Sequence, residues 1–186
     1  MESKAPDESG GQQAPAGSAR QSSETLDNLW HGVDETVRGS FLFRSLDEAS
    51  RHELVDRGVV MVFAAGREIL CEGDAGDDFY LVDRGVVEVT TTVNGNPVAL
   101  GTLQRGGFFG EVAMLTGQPR TATVRALTEV SVVRFDKKDI DDVLDRAPSA
   151  RRLLEAMIAG RAKAAAEKIT RALSTMPPPG GEPPTE

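Results

Sequence analysis

The sequence predicts a mainly β protein with flanking helices, an antiparallel barrel or jelly roll preceded and followed by α-helix. Three observations carry this. Between Gly58 and Phe135, short runs of β-branched and aromatic residues alternate with turns built on glycine, asparagine and aspartate. Helical periodicity of about 3.6 residues is confined to the two ends. The 186 residues, 39% hydrophobic and 27% charged, give room for one domain with a proper core.

In order along the chain, residues 1–23 are rich in Gly, Ser, Gln, Pro and Ala. They cannot bury enough apolar surface to offset ordering entropy, and read as a disordered tail. Over 24–40, Leu26, Leu29, Trp30, Val33 and Val37 repeat at helical spacing. This helix fits packing on its own domain, with a partner contact through Trp30 as the competing reading. Phe41-Leu42-Phe43 then leads into a second helix to about Arg57, with Ser45 as N-cap and Glu48 completing a capping box. The only histidines, His31 and His52, fall on these helices and are expected in solvent.

The strand candidates are Val59–Ala64, Arg67–Leu70, Phe79–Asp83, Val86–Val93, Val98–Leu103, Thr121–Ala126 and Val130–Phe135. Asn94-Gly95 is the strongest hairpin signal. Lys137–Leu144 reads as a short helix. Over 148–174, opened by Pro148, a long helix carries an apolar stripe of Leu153, Leu154, Met157, Ile158, Ala162, Ala165, Ile169 and Leu173, with basic residues expected on the other side. The remainder, 175–186, is Pro/Gly-rich and reads as disordered.

One stretch departs from this pattern. Gly107 to Ala126 reads GFFGEVAMLTGQPRTATVRA: an aromatic pair, Gly110, Glu111, one apolar turn from Val112 to Leu115, a Gly-Gln-Pro break, then Arg120 leading into a strand. The first N–H groups of such a turn lack intrahelical partners and favour an anion. Arg120 offers a planar fork to two phosphate oxygens. Glu111 beside an anion is useful only as an acceptor from a hydroxyl, so a sugar phosphate with one free hydroxyl fits. Spacing alone also permits a surface Glu111–Arg120 ion pair, worth roughly 0–1 kcal/mol.

FGEVAMLTGQPRTATVRA resembles, without a gap, the phosphate-binding cassette of the cyclic nucleotide-binding domain family. Glu72 to Val89, EGDAGDDFYLVDRGVVEV, is similar to the family's glycine-bearing β-roll segment. The resemblance spans about residues 41 to 160. It implies an antiparallel β-roll (a jelly roll) over 41–147, with N-terminal helices and a C-terminal helical lid. It further implies a ligand site of Phe109, Gly110, Glu111, Val112, Ala113, Arg120, Thr121 and Ala122. Glu111 would accept the ribose 2′-hydroxyl proton, helped by the N–H of Gly110 or Ala113. Arg120 and backbone donors near Ala113 and Thr121 would hold the phosphate. Leu154, Met157 and Ile158 are the candidates for a lid over the base. Thr121 suits a guanine amino group and tolerates adenine, so cyclic AMP is the first ligand considered and cyclic GMP the second. No cofactor is implied.

Other classes fit less well. A net charge of −8 argues against a nucleic-acid surface. The longest apolar run, Val59 to Ala65, is far short of the about 20 residues that span a bilayer, and no apolar leader precedes residue 25. The lone Cys71 excludes an internal disulfide and fits a reducing compartment. A cytoplasmic protein without membrane contact is expected. A cupin-type metalloenzyme or a nucleophilic triad needs histidine on the strands, and there is none. The expectation is therefore a sensor, not an enzyme, that acts in trans on an unidentified effector protein, with a possible homodimer through the terminal helices. The alternative is an interaction module whose cassette is vestigial.

Overall fold

The computed structural model describes residues 32–175. The tail expected at 1–23, the first part of the N-terminal helix with Trp30 and His31, and residues 176–186 lie outside the described residues. Residues 32–39 are helical (α1), and a 3-10 turn at Phe43–Ser45 leads into α2 (Glu48–Arg57). Then come β1 (Val59–Phe63), β2 (Glu68–Leu70), β3 (Phe79–Arg84), β4 (Val87–Val93), β5 (Asn96–Leu103) and β6 (Phe108–Phe109). Helix α3 (Glu111–Thr116), β7 (Thr123–Ala126), β8 (Val130–Phe135), α4 (Lys137–Arg146) and α5 (Pro148–Thr175) complete the order.

All strand pairings are antiparallel and nested: β1 with β8, β2 with β7, β3 with β6, and β4 with β5. Links between β3 and β8, and between β4 and β7, join them into two four-stranded sheets, β1-β8-β3-β6 and β2-β7-β4-β5. This is the jelly-roll arrangement of the expected fold class. At the β4–β5 turn Asn94 and Gly95 have φ of 52° and 79°, the positive values that a two-residue type I′ hairpin demands.

The core explains why β3 reads as an uninterrupted apolar run. Alternate residues of a strand face opposite sides, and here both sides are covered. Phe79 and Leu81 point to the helices, into a cluster with Val33, Val37, Phe43, Leu54, Phe135, Ile140, Val143 and Leu154. Tyr80 and Val82 point between the sheets, to Val87, Phe109, Val124 and Val132. Phe43 meets Phe79 and Phe135 edge-on at 5.8 and 5.9 Å, and Phe79 stacks on Phe108 at 5.3 Å, geometries worth about 0.5–1.5 kcal/mol each beyond burial. Helix α1 is fixed by a buried polar contact as well: Thr36 donates to Asp83 Oδ1 (2.8 Å) and accepts from Arg105 Nε (3.0 Å).

Two local expectations change. The N-cap of α2 is Asp47, whose carboxylate accepts from the Ser50 N–H at 2.7 Å. Ser45 is spent inside the 3-10 turn, donating to Leu42 O at 2.7 Å, so no capping box forms there. The strand expected from Thr121 starts at Thr123, because the chain at 120 to 122 is drawn aside into the site. His52 is exposed on α2.

Candidate functional site: a cavity between the cassette and the last helix

Strand β6 ends on Phe109, which is 3% exposed and stacks on Tyr80 at 5.0 Å and 4°. The chain then turns through Gly110 at φ +84°. A Cβ at Gly110 would lie 2.5 Å from Asp78 O and 2.9 Å from Arg120 Nη1. Only glycine satisfies both the left-handed backbone and that close approach. Helix α3 follows. Its first intrahelical bond runs from the Met114 N–H to Gly110 O (3.2 Å), so the N–H groups of Val112 and Ala113 before it have no helical partner. The Gly117 N–H closes the helix on Ala113 O at 2.9 Å.

Arg120 is 5% exposed. Its Nη1 donates to Asp78 O (2.9 Å) and Gly110 O (3.1 Å). Its Nε and Nη2 have no hydrogen-bond partner among the described residues. The backbone of Arg120 is clamped too, its N–H donating to Asp74 O and its carbonyl accepting from the Gly73 N–H, both at 2.8 Å. Glu111 is 5% exposed, at the start of α3. It does not pair with Arg120. Its Oε1 accepts from Arg161 Nη1 on α5 at 2.8 Å, and Arg161 Nη1 also donates to Phe108 O at 2.8 Å. The Arg161 guanidinium carbon stands 4.3 Å from the Phe108 ring centroid, a cation–π contact that adds to the ion pair.

These groups surround one cavity of about 410 Å³. All eight residues expected in the ligand site, Phe109 to Ala113 and Arg120 to Ala122, line it. Its far wall is apolar, from Leu70, Val89, Leu100, Leu103 and Val124, with Thr91 and Thr102 as the neutral polar side chains there. The roof is α5, through Ile158, Arg161, Ala162, Ala165 and Ile169. Of the three lid candidates, then, only Ile158 faces the cavity. Leu154 is fully buried in the helical core, and Met157 packs against that same core. Leu154 shares the face of Ile158 but lies one turn earlier, where that face still packs into the helical core, and Met157 is turned to the side of Ile158; from Ile158 onward the stripe lies over the cavity.

Sequence reasoning missed Arg161 and Lys168, assigning the basic residues of α5 to the outer side. Both turn towards the roll, Lys168 Nζ donating to Leu100 O. A signal was present: Arg161 lies three or four residues from Ile158, Met157 and Ala165, which places it on the apolar stripe. Burial, and then the Asp78 charge, raise the Tyr80 hydroxyl above its ordinary pKa, so it stands beside the site as a neutral donor to Asp78 Oδ2 (3.4 Å).

The arrangement can hold an anion against a hydroxyl-bearing group, with an apolar enclosure alongside. Among the described residues no cluster of His, Cys, Asp and Glu could hold a metal ion, and His52 and Cys71 are not in the lining. No helix there is long and apolar enough to cross a membrane.

Comparison with known proteins agrees with this geometry. Residues 60–147 match the family model described as cyclic nucleotide-binding domain. A cAMP-dependent protein kinase regulatory subunit of Blastocladiella emersonii is 34% identical over 128 residues, covering 68% of this chain and 32% of that protein. The chain thus spans about a third of that relative's length. Among solved structures, the regulatory domain of Toxoplasma gondii PKA, crystallised with cAMP, superposes with a TM-score of 0.63 at 25% identity, covering 68% of this chain and 49% of that one. The Thermus thermophilus catabolite activator protein gives 0.61 at 25% identity, covering 70% and 62%. Residues 60–147, with the Phe109–Ala122 cassette inside them, are therefore a domain of the cyclic nucleotide-binding domain family.

Proposed function

We propose that the chain is a cyclic nucleotide receptor, with cyclic AMP as first ligand and cyclic GMP as second, and that it acts on another protein rather than on its ligand. One observation carries the reading: the buried Arg120 has N–H groups without a partner among the described residues and lines the same small, largely apolar cavity as Glu111. A 3′,5′-cyclic nucleotide has one phosphate charge and one free ribose hydroxyl. Arg120 with the N–H groups of Val112 and Ala113 answers the first. Glu111, whose Oε2 has no partner among the described residues, answers the second. Charge-assisted bonds contribute about 1.5–3 kcal/mol each, so a few of them plus base burial reach the roughly 8 kcal/mol of a micromolar complex.

The same contacts supply a route outward. Glu111 touches α5 through Arg161, so a ribose on Glu111 competes for, or reinforces, the contact that seats α5 over the cavity. A ligand shifts α5 only if it binds one seating better than the other. Titration of the protein with cyclic AMP, cyclic GMP and linear AMP tests the reading. Saturable binding of a cyclic nucleotide, with linear AMP much weaker, is expected. Equal binding of linear AMP, or no binding at millimolar cyclic nucleotide, would overturn it.

A further inference from the structure

The segment that braces Arg120, residues 73 to 78, has no buried apolar side chain to hold it down, its one apolar residue, Ala75, being exposed. It reads Gly-Asp-Ala-Gly-Asp-Asp, and Gly73 to Asp77 are exposed. Yet it shapes the arginine at four points. Asp74 O and the Gly73 N–H take the Arg120 backbone, and Asp78 O takes Nη1. Gly76 lies so near the guanidinium that a Cβ there would stand 2.9 Å from Nη2. A polar segment of this kind keeps one conformation only if both its ends are fixed. At the far end, β3 and the Asp78–Arg134 pair (3.2 Å) do this.

The near end rests on Glu72. Its N–H donates to Thr123 Oγ1 on β7 at 3.0 Å. Its carboxylate reaches past the start of β7 to β4, accepting from Thr91 Oγ1 (2.7 Å) and from the Thr92 N–H (2.8 Å). Strand β7 pairs with β4 only as far as Thr90↔Thr123, so the Thr92 N–H lies beyond the end of its neighbour strand. Glu72 supplies the acceptor that the strand does not. Glu72 does not line the cavity, whereas Thr91 does.

We infer that Glu72 is a positioning residue for ligand binding: it pins the start of the 73–78 segment to β4, and through that segment fixes the Arg120 guanidinium. This rests on the receptor reading above, and the experiment has one arm that does not. In the ligand-free protein, Glu72→Ala should speed amide hydrogen exchange at residues 73–78 and 120 by tenfold or more, with exchange in β3 and β8 unchanged. In the second arm, Glu72→Ala should weaken cyclic AMP binding about tenfold, and Glu72→Gln, which keeps one acceptor oxygen, by less. In an Arg120→Ala background the Glu72→Ala loss should vanish, since the effect passes through Arg120. Unchanged exchange at 73–78 would overturn the bracing. A loss of affinity that persists undiminished without Arg120 would reduce Glu72 to general scaffolding and overturn the inference. If exchange rises as expected but the wild type binds no cyclic nucleotide, the receptor reading and the binding role of Glu72 fall together while the bracing stands. Global destabilisation would appear as faster exchange in β3 and β8 as well, and that outcome also counts against a local role.

Discussion

Arg120 has two sets of donor atoms, one engaged by the protein and one without a partner among the described residues, which lets its folding contacts be separated from the binding role proposed for it. Nη1 serves the protein, bonding Asp78 O and Gly110 O. Nε and Nη2, without partners among the described residues, are the donors proposed for a ligand. Arg120→Ala removes both sets. For folding, two hydrogen bonds of about 1 kcal/mol net each are lost, so the loss should stay near about 2 kcal/mol. For binding, two charge-assisted bonds at about 1.5–3 kcal/mol would give an upper bound of roughly 3–6 kcal/mol. Water fills the emptied site and recovers part of that. An affinity loss of tenfold to a hundredfold, about 1.4–2.7 kcal/mol, is the expected result. Arg120→Lys keeps the charge without the fork, cannot serve the two carbonyls and a phosphate together, and should fall between. Calorimetric titration of each variant with cyclic AMP at fixed ionic strength, alongside urea unfolding, makes the measurement. A folded Arg120→Ala protein with unchanged affinity would refute the assignment of this arginine to the phosphate.

Two further outcomes follow from the same geometry. Leu154→Ala empties a fully buried core position and should cost about 2–5 kcal/mol of stability with little change in the affinity of the folded fraction, while Ile158→Ala should do the reverse. Urea midpoints and ligand titrations compared side by side would contradict the division of α5 if the two variants swapped behaviour. The Ser50 N–H holds the Asp47 carboxyl below its ordinary pKa. A depressed folded pKa means the cap contributes fully above the ordinary Asp value of about 3.9 and is lost as pH falls through the folded value. Relative to Asp47→Asn, which caps without titrating, the wild type should lose stability as pH drops below about 4. A difference between the two that stays constant across that range would show that Asp47 does not titrate as a cap.

What the sequence determined alone is what depends on neighbours along the chain. Strands and turns follow from β-branched runs broken at Asn94-Gly95 and Gly117-Gln118-Pro119, and the cassette is contiguous, so Phe109 to Ala122 could be named before any fold was known. Ser45 and Asp47 both suit a cap, and only the conformation of the 3-10 turn decides which side chain is free for it. The tertiary structure decided everything that needs two distant segments at once. Whether Glu111 faces Arg120 or Arg161 depends on where α5 crosses the sheet. Which residues of α5 roof the cavity depends on how far along the helix its apolar face leaves the core that holds Leu154 and passes over the sheet. And the grip of residues 73–78 on Arg120, more than forty positions away, exists because β2 and β7 pair side by side. Local chemistry specified the groups of the site, and packing selected their partners.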